Sequence, residues 1–147
     1  MRTESAVFTN LCLVTDAQGR ILLQKRTDPN WPGYTCPGGH VEPEESFVAA
    51  AIREVEEETG LTMEDPALRG LKQFQLEGGI RYVVILFRAS RWHGQLRGSA
   101  EGEVCWASRE EMASMPLVPN LMEMIQVIES DDLTEFVYRP DGCPQLI

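Results

Sequence analysis

From Ala6 the chain runs AVFTNLCLV, breaks into the polar TDAQG, and resumes as RILLQK. Two apolar runs of strand length on either side of a polar, glycine-ended break predict two strands joined by a turn, over 6–14 and 20–25. The next stretch, TDPNWPGYTCPGG, is too rich in proline and glycine to be a regular element. From Ser46 to Thr59 the apolar positions Phe47, Val48, Ala51, Ile52 and Val55 recur at steps of three and four, with Gly60 placed to end a helix. Phe47, Ala51 and Val55 form the stripe expected to pack on a sheet. Further on, LKQFQL and RYVVILFRAS read as strands around the Gly78-Gly79 turn, EVCWAS as a shorter strand, and NLMEMIQVIE as a second helix. The order β, β, loop, α, β, β, β, α contains few regular βαβ units, and predicts an α/β sandwich with a mixed, partly antiparallel sheet.

At 147 residues the chain fits one domain, 1–147, with one core. Its 43% hydrophobic and 24% charged residues, with no repeat or low-complexity tract, are those of an ordinary globular protein. The MRTESAVFTN start lacks an apolar run of signal-peptide length, and no stretch approaches the roughly 20 apolar residues of a membrane span. The expected location is therefore the cytoplasm, without a membrane partner. Cys12, Cys36, Cys105 and Cys143 form no CxxC pair and are expected to be reduced structural thiols. A net charge of −10 argues against duplex DNA as a partner, because that grip depends on Lys and Arg neutralising phosphates.

The acid is unevenly spread. Glu42, Glu44, Glu45, Glu54, Glu56, Glu57 and Glu58 are opposed within their segment only by Arg53, so 17 residues carry −6 of the chain's −10. On the expected helix Glu54, Glu57 and Glu58 stand at i, i+3 and i+4 and share one face, expected to be exposed. Like charges at that spacing destabilise a helix unless a cation compensates. Two readings follow: a solvated acidic face balanced in part by Arg53 and Glu57 at i, i+4, or a site for Mg²⁺, which takes carboxylate oxygens and substrate phosphates together. The adjacent Gly38-Gly39 would let a backbone carbonyl approach as well.

The spacing separates the two. Gly39 is followed by five residues, Glu45, seven more, and then Arg53-Glu54-Val55-Glu56-Glu57-Glu58-Thr59-Gly60-Leu61. At every defined position this resembles the signature of the Nudix hydrolases, which cleave nucleoside diphosphates linked to another group. The signature covers residues 39–61, and the element order agrees over nearly the whole chain. The resemblance implies an α/β/α sandwich in which the loop–helix–loop carries metal and phosphate chemistry. By it, Glu57 and Glu58 correspond to helix metal ligands, Gly39 to a residue whose carbonyl joins them, and Glu54 to a carboxylate that is a metal ligand or the base activating water. Arg53 and Glu45 correspond to a pair that orients these acids. The implied cofactor is Mg²⁺, with Mn²⁺ as the alternative ion, and the implied reaction is attack of an activated water on a phosphorus of a diphosphate linkage. Coupled carboxylates should bind metal less well as pH falls.

Outside the signature, Arg26 is similar to a residue that contacts phosphate in nucleotide-cleaving relatives, or is a plain surface arginine. Glu101 and Glu103 precede Trp106 as relatives place a further glutamate that reaches the metals or acts as base, and spacing favours Glu101. Where many relatives carry lysine after the paired glycines, this chain has His40; His93 is expected in an exposed loop. The compact chain and its TNLCLV opening are similar to MutT-like enzymes that hydrolyse oxidised purine triphosphates such as 8-oxo-dGTP to the monophosphate and pyrophosphate. Asn10, Phe74 and Asn120 are candidates for base recognition, against a core role for Phe74 and a helix N-cap for Asn120. Trp31 is expected to pack on the signature loop. Alternative substrates are ADP-ribose, dinucleotide polyphosphates and capped RNA. A non-catalytic nucleotide sensor is the alternative from another class, and a homodimer is common in the family.

Overall fold

The computed structural model describes all residues from Met1 to Ile147. Its strands are β1 (Ala6–Val14), β2 (Ile21–Arg26), β3 (Gly33–Thr35), β4 (Leu61–Glu64), β5 (Ala67–Gln75), β6 (Arg81–Ala89), β7 (Arg91–Gly94), β8 (Val104–Ala107), β9 (Glu135–Tyr138) and β10 (Pro144–Leu146). The helices are α1 (Phe47–Thr59), the single turn α2 (Arg109–Met112) and α3 (Leu121–Glu129). The central sheet has the order β1-β6-β5-β9-β10, with β1-β6 and β5-β9 parallel and the other pairs antiparallel. The mixed sheet expected from the element order is present. A second sheet, β3-β2-β8, and a small pair, β4-β7, complete the frame.

Strand alternation splits the core in two. On one face of β1, Leu11 and Leu13 join Leu86, Phe136 and the buried side of α3, which supplies Leu121, Met124, Ile125 and Ile128. On the other, Cys12 and Val14 join Ile85, Phe87 and the α1 residues Ala51 and Val55. The sandwich therefore has a helix on each face of the sheet. No helix is long and apolar enough to cross a membrane. All four cysteines are free thiols.

β1 ends the central sheet, yet its edge is not bare. Asn10 donates its N–H to the Gly39 carbonyl at 2.9 Å, Cys12 to Pro37 at 2.9 Å, and Val41 donates to Phe8 at 3.0 Å. The proline- and glycine-rich stretch thus occupies the place of a further strand, which satisfies the edge and fixes the loop that leads into α1. Ser46 caps α1 by accepting the Ala49 N–H, and Gly60 closes it in a left-handed conformation, φ 79°.

Several expectations need correction. β4, β7, β9 and β10 were not anticipated, and Gly33–Thr35 in the supposedly irregular loop is a short strand against β2. His93 lies on exposed β7 and not in a loop. Phe47 opens α1 at 46% exposure, outside the buried stripe, and touches Phe8 with ring centroids 5.5 Å apart. The acidic face of α1 is not uniformly exposed: Glu58 is only 3% exposed, whereas the Glu57 side chain is open to solvent.

Candidate active site

A cleft of about 680 Å³ lies over the β1 edge and is lined at one end by Gly38, Gly39, Glu54, Glu58 and Glu101. Its geometry begins with the two glycines. A Cβ on Gly38 would stand 2.1 Å from the Asn10 carbonyl oxygen, and a Cβ on Gly39 would stand 2.4 Å from the Glu54 carboxyl carbon. Any side chain here would push the loop off β1 or displace Glu54. Asn10 is the other half of the fit: its Oδ1 accepts the Gly39 N–H at 3.2 Å. Asn10 shares the α1 face of the strand, opposite Thr9, so its side chain anchors the loop.

Arg53 organises the carboxylates on the outer side of α1. Its Nε and Nη2 donate to the two oxygens of Glu45 at 3.0 and 2.7 Å, a bidentate pair; Nη1 donates to Glu54 at 3.0 Å and to Glu57 at 3.3 Å, and Nη2 also to the His40 carbonyl at 3.0 Å. The guanidinium holds the Glu45 carboxyl down at about 2, chiefly through that hydrogen bonding, and its own affinity for protons is raised in turn. Glu54 shifts the other way: burial raises it, and the bond from Arg53 only partly opposes this.

Glu58 has no such cation. It accepts the Gly38 N–H at 3.2 Å, and the Glu101 carboxylate faces it. Burial, then the neighbouring Glu101, pushes Glu58 up to about 9. Glu101 is held by its own turn, where its N–H donates to Ser99 Oγ at 3.1 Å and its carbonyl accepts Thr27 Oγ1. Glu103 is exposed and does not line the cleft. The acids do not stand ready as a closed ligand cage, for no three His, Cys, Asp or Glu side chains converge at metal-binding distance. The donor set nonetheless fits a divalent cation: all hard oxygens, with one buried acid lacking any positive partner and the Gly39 carbonyl exposing a second lone pair beside Asn10.

The rest of the cleft is mixed. Arg26 stacks on Trp31, 5.0 Å from guanidinium carbon to ring centroid, and donates Nε–H to the Trp31 carbonyl at 3.0 Å. Trp31 therefore packs under Arg26, half exposed, and not on the signature loop as expected. Phe74 lines the cleft and stacks on Tyr82 at 5.0 Å. Asn120 does not line it. Its side-chain N–H donates to Tyr138 Oη at 3.0 Å, and although it occupies the N-cap position of α3 its side chain makes no capping bond. One residue was missed outright. Lys72 lines the cleft from β5 at 4% exposure, and nothing in a lone strand lysine distinguishes it from a solvent-facing one.

These features are an acidic cleft beside a glycine loop, with oxygen donors that fit a divalent cation. Residues 8–128 match the NUDIX domain family, and the chain belongs to it. It is a Nudix hydrolase. It is 31% identical over 116 residues to the Nudix hydrolase YvcI of Bacillus subtilis, covering 76% of this chain and 71% of that one. It is 30% identical over 108 residues to the CTP pyrophosphohydrolase of Escherichia coli, covering 72% and 79%. Among solved structures, the MutT protein of Bacillus halodurans superposes with a TM-score of 0.75 at 28% identity, over 95% of this chain and 97% of that one. The fold is thus MutT-like, and the family is one of pyrophosphohydrolases acting on nucleotide-like small molecules with divalent metal ions.

Proposed function

We propose that this protein is a Mg²⁺-dependent pyrophosphohydrolase that cleaves a modified purine nucleoside triphosphate such as 8-oxo-dGTP to the monophosphate and pyrophosphate. The observation that carries the reading is the gathering of Glu54, Glu58 and Glu101 against Gly38-Gly39 at one end of a cleft that also holds Phe74, Tyr82 and Trp31. Glu57, Glu58 and the Gly39 carbonyl would hold the ion, which when bound neutralises phosphate charge and acidifies water. Glu54 is suited to be the base. Its Oε1 is fixed by Arg53, and burial raises its proton affinity, so Oε2 is both positioned and able to take a proton from the attacking water. Arg53 keeps Glu54 and Glu57 in reach, and Glu45 keeps Arg53 in place. Arg26, open to the cleft, would meet a phosphate of the substrate. The buried amide nitrogens of Asn10 and Gln24, both in the cleft lining and both without a partner, would suit a ligand rich in acceptor oxygens.

The likeness to a CTP pyrophosphohydrolase favours a second reading, a pyrimidine triphosphate at the same site. A screen of nucleoside triphosphates, ADP-ribose and capped dinucleotides with Mg²⁺, with products resolved by chromatography, tests both. Release of monophosphate and pyrophosphate, fastest from 8-oxo-dGTP, is expected. Cleavage of none of these compounds at any metal concentration would refute the proposal.

A further inference from the structure

Lys72 is a cation buried without a counter-ion. None of the protein's ion pairs includes it, and no hydrogen bond of its ammonium is formed within the chain. Its Nζ lies instead among three aromatic rings, 4.7 Å from the centroid of Phe136, 5.3 Å from Tyr138 and 5.6 Å from Phe74. Ring faces attract an ammonium, but they accept no ordinary hydrogen bond, so its N–H donors remain unsatisfied on this side. Unlike the Asn10 and Gln24 amide nitrogens, the ammonium is not sealed from solvent, so its free donors are available to whatever occupies the cleft. The side chain opens on the cleft, and a ligand there would meet its free donors.

Its place on the sheet says which part of a ligand that is. Thr9, Val84 and Lys72 are cross-strand neighbours on β1, β6 and β5. Thr9 is bridged to His40, at the end of the glycine loop. Two strand spacings put the Lys72 backbone roughly 10 Å from the Thr9 strand. Row and register set Lys72 on the α3 face, whereas α1 and its carboxylates lie on the other. A nucleotide with its phosphates at the glycine loop would bring its base, and not its phosphates, over Lys72. Phe74, which lines the cleft beside Lys72 and stacks on Tyr82, offers that base an aromatic wall.

We propose that Lys72 is a specificity-determining residue that donates to a carbonyl oxygen of the substrate base, so that the site selects keto-bearing bases of the guanine type over adenine. An ammonium has three donors and no acceptor. Guanine and its 8-oxo form both present the carbonyl O6, whereas adenine replaces O6 with an amino group, a donor facing a donor. The inference rests on the nucleotide reading of the cleft and adds the identity of the base edge.

The test is calorimetric binding of GMP, AMP and inorganic pyrophosphate to the wild-type protein, to Lys72→Met and to Lys72→Gln. The wild type is expected to bind GMP on the order of tenfold or more tighter than AMP. Lys72→Met, which replaces the unpaired ammonium by an apolar chain of similar length in a largely buried position, should fold, bring GMP down to the AMP affinity and leave pyrophosphate unchanged. Lys72→Gln, with an amide donor, should keep part of the preference. Equal affinity of the wild type for GMP and AMP overturns the proposal, as does a GMP preference that survives Lys72→Met. A loss of pyrophosphate binding in Lys72→Met equal to the loss of GMP also overturns it, since the lysine would then read phosphate. A wild type that prefers GMP but hydrolyses no nucleotide leaves this inference standing and removes the hydrolytic reading.

Discussion

The two sides of α1 carry the same residue type in opposite circumstances. On the Arg53 side Glu45, Glu54 and Glu57 share one guanidinium, which answers their charge within the chain, and of the three only Glu54 also lines the cleft. On the inner side Glu58 is buried against Gly38 and Glu101 with no cation at all. A protein that needed only a stable helix would have no reason to leave the second arrangement. The contrast teaches that the acidic segment is two devices: a pre-organised bracket built around Arg53, and a buried acid whose charged form burial and Glu101 disfavour and no cation of the chain offsets.

The strongest way to break this comparison is to neutralise one acid on each side. Glu57→Gln and Glu58→Gln should each lower turnover with Mg²⁺ by two orders of magnitude or more, on the scale that lost ligand or electrostatic groups show. Their metal-free stabilities should differ. Glu57 is exposed, so its loss should change stability by no more than about 0.5 kcal/mol. Glu58→Gln removes a buried acid while its amide oxygen still accepts the Gly38 N–H, so the metal-free variant should be at least as stable as the wild type at pH 8. Thermal unfolding with chelator, beside steady-state kinetics with Mg²⁺, checks both. A clear loss of metal-free stability in Glu58→Gln would show that the inner acid is held by something other than a bound ion.

A smaller effect sharpens the same contrast through pH. Glu58 is raised from 4.5 to about 9 in the folded protein, so its contribution is fully present below about 4.5 and is lost as pH rises towards 9. Glu45 is lowered from 4.5 to about 2, so its contribution is present above 4.5 and lost as pH falls towards 2. With chelator, the melting temperature should therefore decline from pH 5 to pH 9, and decline again on strong acidification. Mg²⁺ should flatten the alkaline limb, because the ion takes the place of the proton. An alkaline limb that is flat without metal would mean that Glu58 is ionised in the resting protein.

What could be read before the structure follows from how local each signal is. The Gly39–Leu61 spacing, the Ser46 cap and the Gly60 stop lie within one stretch of chain, so helix α1 was legible nearly to the residue. Which glutamate of the shared face would be buried was not, because periodicity places Glu54, Glu57 and Glu58 together, and only the Gly38 loop and the distant Glu101 turn tell them apart. The C-terminal hairpin left a faint signal that went unused: EFVY and PQL flank a Pro-Asp-Gly turn around residues 140–142. Lys72 left none. Its burial arises from Phe136 and Tyr138, more than sixty positions away.

The smallest expected effect concerns Asn120, expected from sequence to read the base or cap α3. Its backbone is left-handed, φ 64°, its side chain makes no cap, and its one bond goes to Tyr138, whose ring faces Lys72. Asparagine tolerates this conformation, glycine adopts it freely and alanine pays a steric penalty. Asn120→Ala should therefore destabilise by about 1 kcal/mol and Asn120→Gly by little or nothing. Neither should alter the ratio of activities toward 8-oxo-dGTP and ADP-ribose by more than a few-fold, since the amide braces Tyr138 from outside the cleft. A selective loss toward 8-oxo-dGTP in both variants would place Asn120 on the base after all, and would mean that the α3 end of the cleft closes over the ligand.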